Sequence, residues 1–148
     1  MVKVSPDEDQ DSQIQGIVSA VHQSGAAGLI VGNTTKRRDN LLPPPQETKL
    51  PVAERRSLAE QGGFSGPAMF GRTLDLVGRY RRELDARSLA EGAERKVIFA
   101  TGGICSGEEV VKVLNAGASV AMVYTGLVYG GAGTVTRIKA EMKAAGGT

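Results

Sequence analysis

Polar and glycine residues gather at four places in the chain, each directly after a short apolar run: Lys3, Asn33-Thr34-Thr35, Thr101-Gly102-Gly103 and Tyr124-Thr125-Gly126. Asn33 offers amide donors and an acceptor, and Thr34 a hydroxyl, a pairing suited to the edge of a planar heterocycle with alternating carbonyl and N–H groups. The same residues serve equally to close an Asx or Ser/Thr turn before Lys36. Gly102-Gly103, followed by Ser106-Gly107 at a helix start, lets backbone approach a ligand closely and aims free N–H groups at it, as in phosphate sites. Tyr124-Thr125-Gly126 repeats the element one unit later, and the last two strand ends of a barrel often build one phosphate site together. Glycines used only for tight turns are the competing reading. Lys3, before the acidic turn Ser5-Pro6-Asp7-Glu8-Asp9, is either a cation for negative charge developing on a reduced cofactor or a solvated terminal charge.

Other chemistries find little support. A single cysteine, Cys105, excludes an intrachain disulfide, and one histidine leaves no cluster with metal-ligand spacing, so no metal is expected. Cys105 lies near a helix start but lacks an adjacent base, and reads as an incidental or buried thiol. His22 falls on a polar helix face and reads as a surface residue. The 18 basic and 16 acidic residues, net +2, are spread along the chain, and no nucleic-acid partner is expected. No apolar run is long enough to span a bilayer, and residues 1–11 lack the regions of a signal peptide.

The elements that must position the polar clusters follow from periodicity. Val2-Lys3-Val4 looks like the end of a strand, so the chain is expected to begin in mid-fold. Ile14, Ile17, Val18 and Val21 recur at three- and four-residue spacing, which predicts an amphipathic helix over 12–23. The run 28–32 is short, apolar and bounded by glycine, as a buried parallel strand is. A surface loop containing Pro43-Pro44-Pro45 is expected over 36–51. A short helix over 52–60, a glycine turn over 62–67 and a longer helix with Phe70, Leu74, Val77, Tyr80 or Arg81, and Leu84 on one face come next. Arg79, Arg81 and Arg82 read as its wet side, and 85–95 as a polar loop. Strands are expected over 96–100 and 118–123, with helices over 107–115 (Val110, Val111 and Leu114 inward) and 134–144.

The order is therefore four β/α units with crossover connections, an α/β fold in which every strand end opens onto one face. Half of an eight-stranded barrel and an open doubly wound sheet both fit, and both bind ligands at that face.

Taken together, Val2-Lys3-Val4-Ser5-Pro6-Asp7, Val31-Gly32-Asn33-Thr34-Thr35, Gly62-Gly63-Phe64-Ser65-Gly66, Gly102-Gly103-Ile104 with Ser106-Gly107, and Ala116-Gly117-Ala118-Ser119 leading to Tyr124-Thr125-Gly126 resemble the successive C-terminal motifs of class 2 dihydroorotate dehydrogenases. Val128-Tyr129-Gly130-Gly131 and the segment near Glu91 look most like fungal members. The resemblance covers nearly all of 1–148 and implies the C-terminal half of a (β/α)8 TIM barrel. It further implies an FMN enzyme that oxidises dihydroorotate to orotate in pyrimidine synthesis and passes electrons to ubiquinone at the mitochondrial inner membrane. Carried over by motif, Lys3, Gly32, Gly66, Gly103, Tyr124 and Thr125 would contact the FMN, the last three its phosphate, and Asn33 and Thr34 the orotate. Gly32 departs from the threonine many members carry, and Thr101 and Cys105 replace common small residues.

In that family the catalytic base, further substrate asparagines and the quinone-tunnel helices precede the point where this chain begins, so no catalytic residue is assigned here. The chain is expected to be a fragment without turnover of its own. The alternative is a noncatalytic phosphate- or flavin-binding half-barrel, or a module that self-associates through its strand edges. Another FMN barrel, such as a hydroxy-acid oxidase, is disfavoured by Asn33-Thr34-Thr35.

Overall fold

The computed structural model describes residues 1–38 and 50–146. The expected Pro43-Pro44-Pro45 loop lies outside the described residues. Four short strands, β1 (Val2–Val4), β2 (Gly28–Val31), β3 (Val97–Thr101) and β4 (Val120–Met122), form one sheet in the order β1-β2-β3-β4. All three pairings are parallel, with Lys3 opposite Ile30, Ile30 opposite Phe99, and Phe99 opposite Val120. Sequential parallel neighbours joined by helices are what a segment of a β/α barrel requires.

The helices are α1 (Asp11–Gln23), α2 (Val52–Ala59), α3 (Phe70–Glu91), α4 (Gly107–Asn115), α5 (Thr125–Gly130) and α6 (Thr134–Ala144), with a 3-10 turn at Pro67–Met69 before α3. Strand side chains alternate. Val4, Leu29, Val31, Ile98 and Ala100 are buried against Ile14, Val18 and Val21 of α1, Leu76, Val77, Tyr80 and Leu84 of α3, and Val110 and Val113 of α4. The opposite face, with Lys3, Ile30, Phe99 and Val120 in one row, is open or half-open. That face corresponds to the interior of a barrel.

Four expectations are corrected. The residues 85–95 are not a loop up to Glu91, because α3 continues for six more residues past Asp85. Leu84 and Ser88 keep its inner face buried, Arg87 pairs with Glu91 at 2.7 Å, and Gly92 ends the helix in the left-handed conformation at φ +61°. Arg81 is not on the wet side: its guanidinium is buried, donates to the Lys96 carbonyl at 2.7 Å and pairs with Asp85. Gly117 makes room for it, since a Cβ there would overlap the Arg81 side chain. His22 is not a surface residue. Its side chain is only 3% exposed and its Nδ1 lies 3.2 Å from Glu91 Oε2, joining the ends of α1 and α3. In α4 Val110 is buried and Leu114 packs partly buried against the core as expected, but the third inward position is Val113 rather than Val111.

Candidate functional site

The four strand ends converge on a cavity of about 360 Å³. β1 contributes Lys3, the turn after β2 contributes Asn33 and Thr34, β3 and its continuation contribute Thr101 to Cys105, and β4 leads into Met122 to Thr125. A fifth segment, the glycine turn before α3, adds Ser65 and Gly66. Seven of the eight residues singled out in the sequence therefore line one cavity. Gly32 does not. It is buried at φ +93°, where a Cβ would overlap the Thr101 carbonyl oxygen, so it allows β2 and β3 to approach at the lip of the site.

Glycine is required at two of the lining positions. Gly103 has φ +75°, and a Cβ on it would overlap the backbone N of Phe70 at the start of α3. Gly66 has φ +108°, outside the range other residues adopt without strain. At the rim, Thr125 donates through its hydroxyl to Ser65 Oγ at 3.2 Å, linking the β4 end to the glycine turn. The Tyr124 ring stands largely in solvent. Among the described residues no carboxylate is within ion-pair distance of Lys3, which leaves its ammonium available to an anionic ligand.

The start of α4 differs from its expected role. Cys105 N and Ser106 N both donate to Glu109 Oε2, at 2.7 and 3.0 Å, and Gly107 N donates to Glu141 Oε2 at 2.6 Å. These N–H groups are occupied by the protein's own carboxylates and are not offered to a ligand. The Ser106-x-x-Glu109 spacing of a capping box carried that information in the sequence. The Gly107 N–H and then the Arg137 guanidinium hold the Glu141 carboxyl below its ordinary range, and Arg137 also donates to the Cys105 carbonyl at 2.8 Å. Of the elements expected to receive a phosphate, the Gly102-Gly103 turn and Tyr124-Thr125 line the cavity.

Burial first, and then the Glu109 charge, push the Cys105 thiol up, so it remains protonated at neutral pH and is no thiolate nucleophile. The remaining lining side chains are apolar or neutral, apart from Lys3. Sequence reasoning missed a polar cluster behind Asn33 and Thr34. Thr35, 1% exposed, donates its hydroxyl to Asp7 Oδ1, and Arg37 and Arg72 close around the same carboxylate.

Four parallel β/α units with all strand ends opening on one cavity define a segment of a ligand-binding β/α barrel. The sequence profile of dihydroorotate dehydrogenase matches residues 1–145, and the chain belongs to that family. It is 33% identical over 144 residues to the dihydroorotate dehydrogenase (quinone) of Azorhizobium caulinodans, covering 97% of this chain and 35% of the relative. It is 34% identical over 142 residues to the enzyme of the same name from a Synechococcus species, covering 93% and 35%. Ligand-free DHODH from Eimeria tenella superimposes with a TM-score of 0.76 at 30% identity, over 95% of this chain and 33% of that one. The chain spans about a third of the length of the curated relatives it matches.

Proposed function

We propose that this chain supplies the flavin-phosphate end and one substrate edge of an FMN-dependent dihydroorotate dehydrogenase of the quinone class, acting in pyrimidine synthesis. The observation that carries the reading is the convergence of Lys3, Asn33, Thr34, Gly66, Gly103, Tyr124 and Thr125, remote in sequence, on one cavity. The residues fit the cofactor: the cavity lining combines apolar Ile30, Ile104 and Val123 with the Gly102-Gly103 turn and the Lys3 ammonium. FMN, when bound, accepts the hydride of the substrate and relays electrons to the acceptor.

The chain's own residues bind and orient. Gly103, Tyr124 and Thr125 would hold the phosphate, Gly66 would leave room for the cofactor by having no side chain, and Gly32 lets the β2 end sit close to β3, beside Asn33. Asn33 and Thr34 offer amide and hydroxyl partners to the pyrimidine edge. Lys3 supplies positive charge where reduction places negative charge. Following the family resemblance, no catalytic base is assigned among these lining residues. The quinone as acceptor rests on the names of the relatives. A mitochondrial, fungal-like setting rests on the motif resemblance, and no helix of the described residues is long and apolar enough to cross a membrane.

Isotope-edited NMR of the 148-residue chain with orotate tests the substrate half of this reading. Orotate should shift the Asn33 side-chain amide and the Thr34 backbone amide, while dihydroorotate and quinone give no turnover above background. Unmoved Asn33 and Thr34 signals at saturating orotate, or turnover by the chain alone, would contradict it.

A second reading has its own observation. Among the described residues the outer edges of β1 and β4 have no strand partner, with Val2, Val120 and Met122 each 39% exposed, so the chain is also suited to associate through them as a noncatalytic half-barrel. A sedimenting species that stays monomeric at high concentration would remove this reading.

A further inference from the structure

Behind the substrate edge lies a hydrogen-bonded node that joins three of the segments forming the cavity. Thr35 follows Asn33 and Thr34 directly and is 1% exposed. Its hydroxyl uses its full capacity: it donates to Asp7 Oδ1 and accepts from Arg37 N at 3.0 Å and Arg72 Nη1 at 3.2 Å. Its backbone forms both bonds of a bridge to Phe64, at 3.0 and 2.8 Å, beside Ser65 and Gly66. Asp7, in the turn that follows Lys3 and β1, accepts from Lys36 N at 2.9 Å through its other oxygen. Arg72 Nη1 reaches Asp7 Oδ1 at 3.3 Å from the first turn of α3.

We infer that Asp7 and Thr35 are positioning residues for the substrate edge, acting through Asn33 and Thr34 rather than by touching the ligand. Neither lines the cavity, yet the two residues that do are held between Gly32, fixed by packing on Thr101, and Thr35, fixed by this node. The node reaches the β1 turn, the β2 turn and the glycine turn, so it sets the spacing of Lys3, Asn33 and Gly66 relative to one another. The phosphate end is built from β3, β4 and α5 and contributes no residue to this node, although it touches the glycine turn where Thr125 donates to Ser65 Oγ at 3.2 Å. The consequence is a separation of roles: disturbing the node disturbs substrate recognition and spares phosphate recognition.

The inference rests on the reading of Asn33 and Thr34 as the orotate edge. Its test therefore has one arm that needs no ligand. Thr35→Val removes the hydroxyl at nearly constant volume, Asp7→Asn removes the charge, and Thr35→Ser restores the hydroxyl. Thr35→Val and Asp7→Asn should speed hydrogen exchange at Thr35 and Phe64 and broaden or shift the Asn33 and Thr34 signals, with Thr35→Ser returning both to wild type. In the ligand arm, the two disruptive variants should weaken orotate by about tenfold, the scale of one lost hydrogen bond to a charged group, and change the preference for FMN over riboflavin, which reads the phosphate end, by less than about twofold. A loss of the FMN-over-riboflavin preference equal to the loss of orotate affinity would mark the node as merely structural and overturn the inference. Unchanged exchange and unchanged Asn33 and Thr34 signals in a folded Thr35→Val chain would overturn it as well. Absence of orotate binding in the wild type would defeat the substrate reading alone, and the exchange arm still decides whether the node orders Asn33 and Thr34.

Discussion

Gly103 shows how packing and ligand approach are decided at one atom. Its φ of +75° and the position of Phe70 N leave no space for a methyl group, so Gly103→Ala meets both left-handed strain and a backbone overlap. Strain of about 1–2 kcal/mol and overpacking of about 1–3 kcal/mol predict a loss of roughly 2–5 kcal/mol in urea unfolding, together with weakened FMN binding. Asp7 gives a pH dependence with a fixed sign. Although burial works against its carboxylate, the Thr35 hydroxyl, the Lys36 N–H and the Arg37 and Arg72 guanidiniums hold it below the ordinary aspartate range. A depressed carboxylate contributes stability that is complete above its unfolded value, near pH 4, and lost as pH falls through the lower folded value. Acid unfolding of the wild type should therefore have a limb below about pH 4 that flattens in Asp7→Asn. Asn33, Thr34, Gly103 and Thr125 were legible in the sequence because polar or glycine residues after an apolar run mark strand ends. The Asp7–Thr35 node was not, since nothing local to Thr35 distinguishes it from its neighbour Thr34 and the partners come from α3 and the β1 turn.

At the scale of elements, α3 is where local reading and tertiary structure diverge most. Its segment from Asp85 onward carries charges at close spacing and looks like a loop, but i,i+4 pairs and burial of Leu84 and Ser88 extend the helix to the Gly92 cap. The burial of Arg81 and His22 has the same origin: each is polar by type, and only the Lys96 carbonyl, Asp85 and Glu91 make its position tolerable. By contrast, α1 and α6 were placed from periodicity within one residue at each end, as they are amphipathic and end at small residues followed by glycine. Tyr80 in α3 offers a test that is independent of any ligand. Among the described residues its buried hydroxyl has no hydrogen-bond partner, and desolvation pushes its pKa up to about 12. Removing an unpaired buried hydroxyl relieves a desolvation cost, so Tyr80→Phe should leave stability unchanged or raise it by about 1 kcal/mol in thermal or urea unfolding. A loss of similar size would mean that the hydroxyl has a partner in solution.

For the whole molecule, the governing fact is a parallel sheet covered by helices on one face and half-open on the other, with the cavity at its C-terminal edge. Composition and element order predicted the α/β fold, and periodicity alone did not separate a barrel segment from an open sheet. The sequential β1-β2-β3-β4 order and the superposition on Eimeria tenella DHODH decide for the barrel. The central claim is that this piece of barrel carries the phosphate end of a flavin site, and a comparative titration of FMN and riboflavin tests it most directly. Followed by quenching of flavin fluorescence, the chain should bind FMN saturably at one site and prefer it to riboflavin by about tenfold or more, as phosphate contacts to backbone N–H groups require. Equal affinity for the two flavins, or no saturable binding of FMN by the folded chain, would contradict the account.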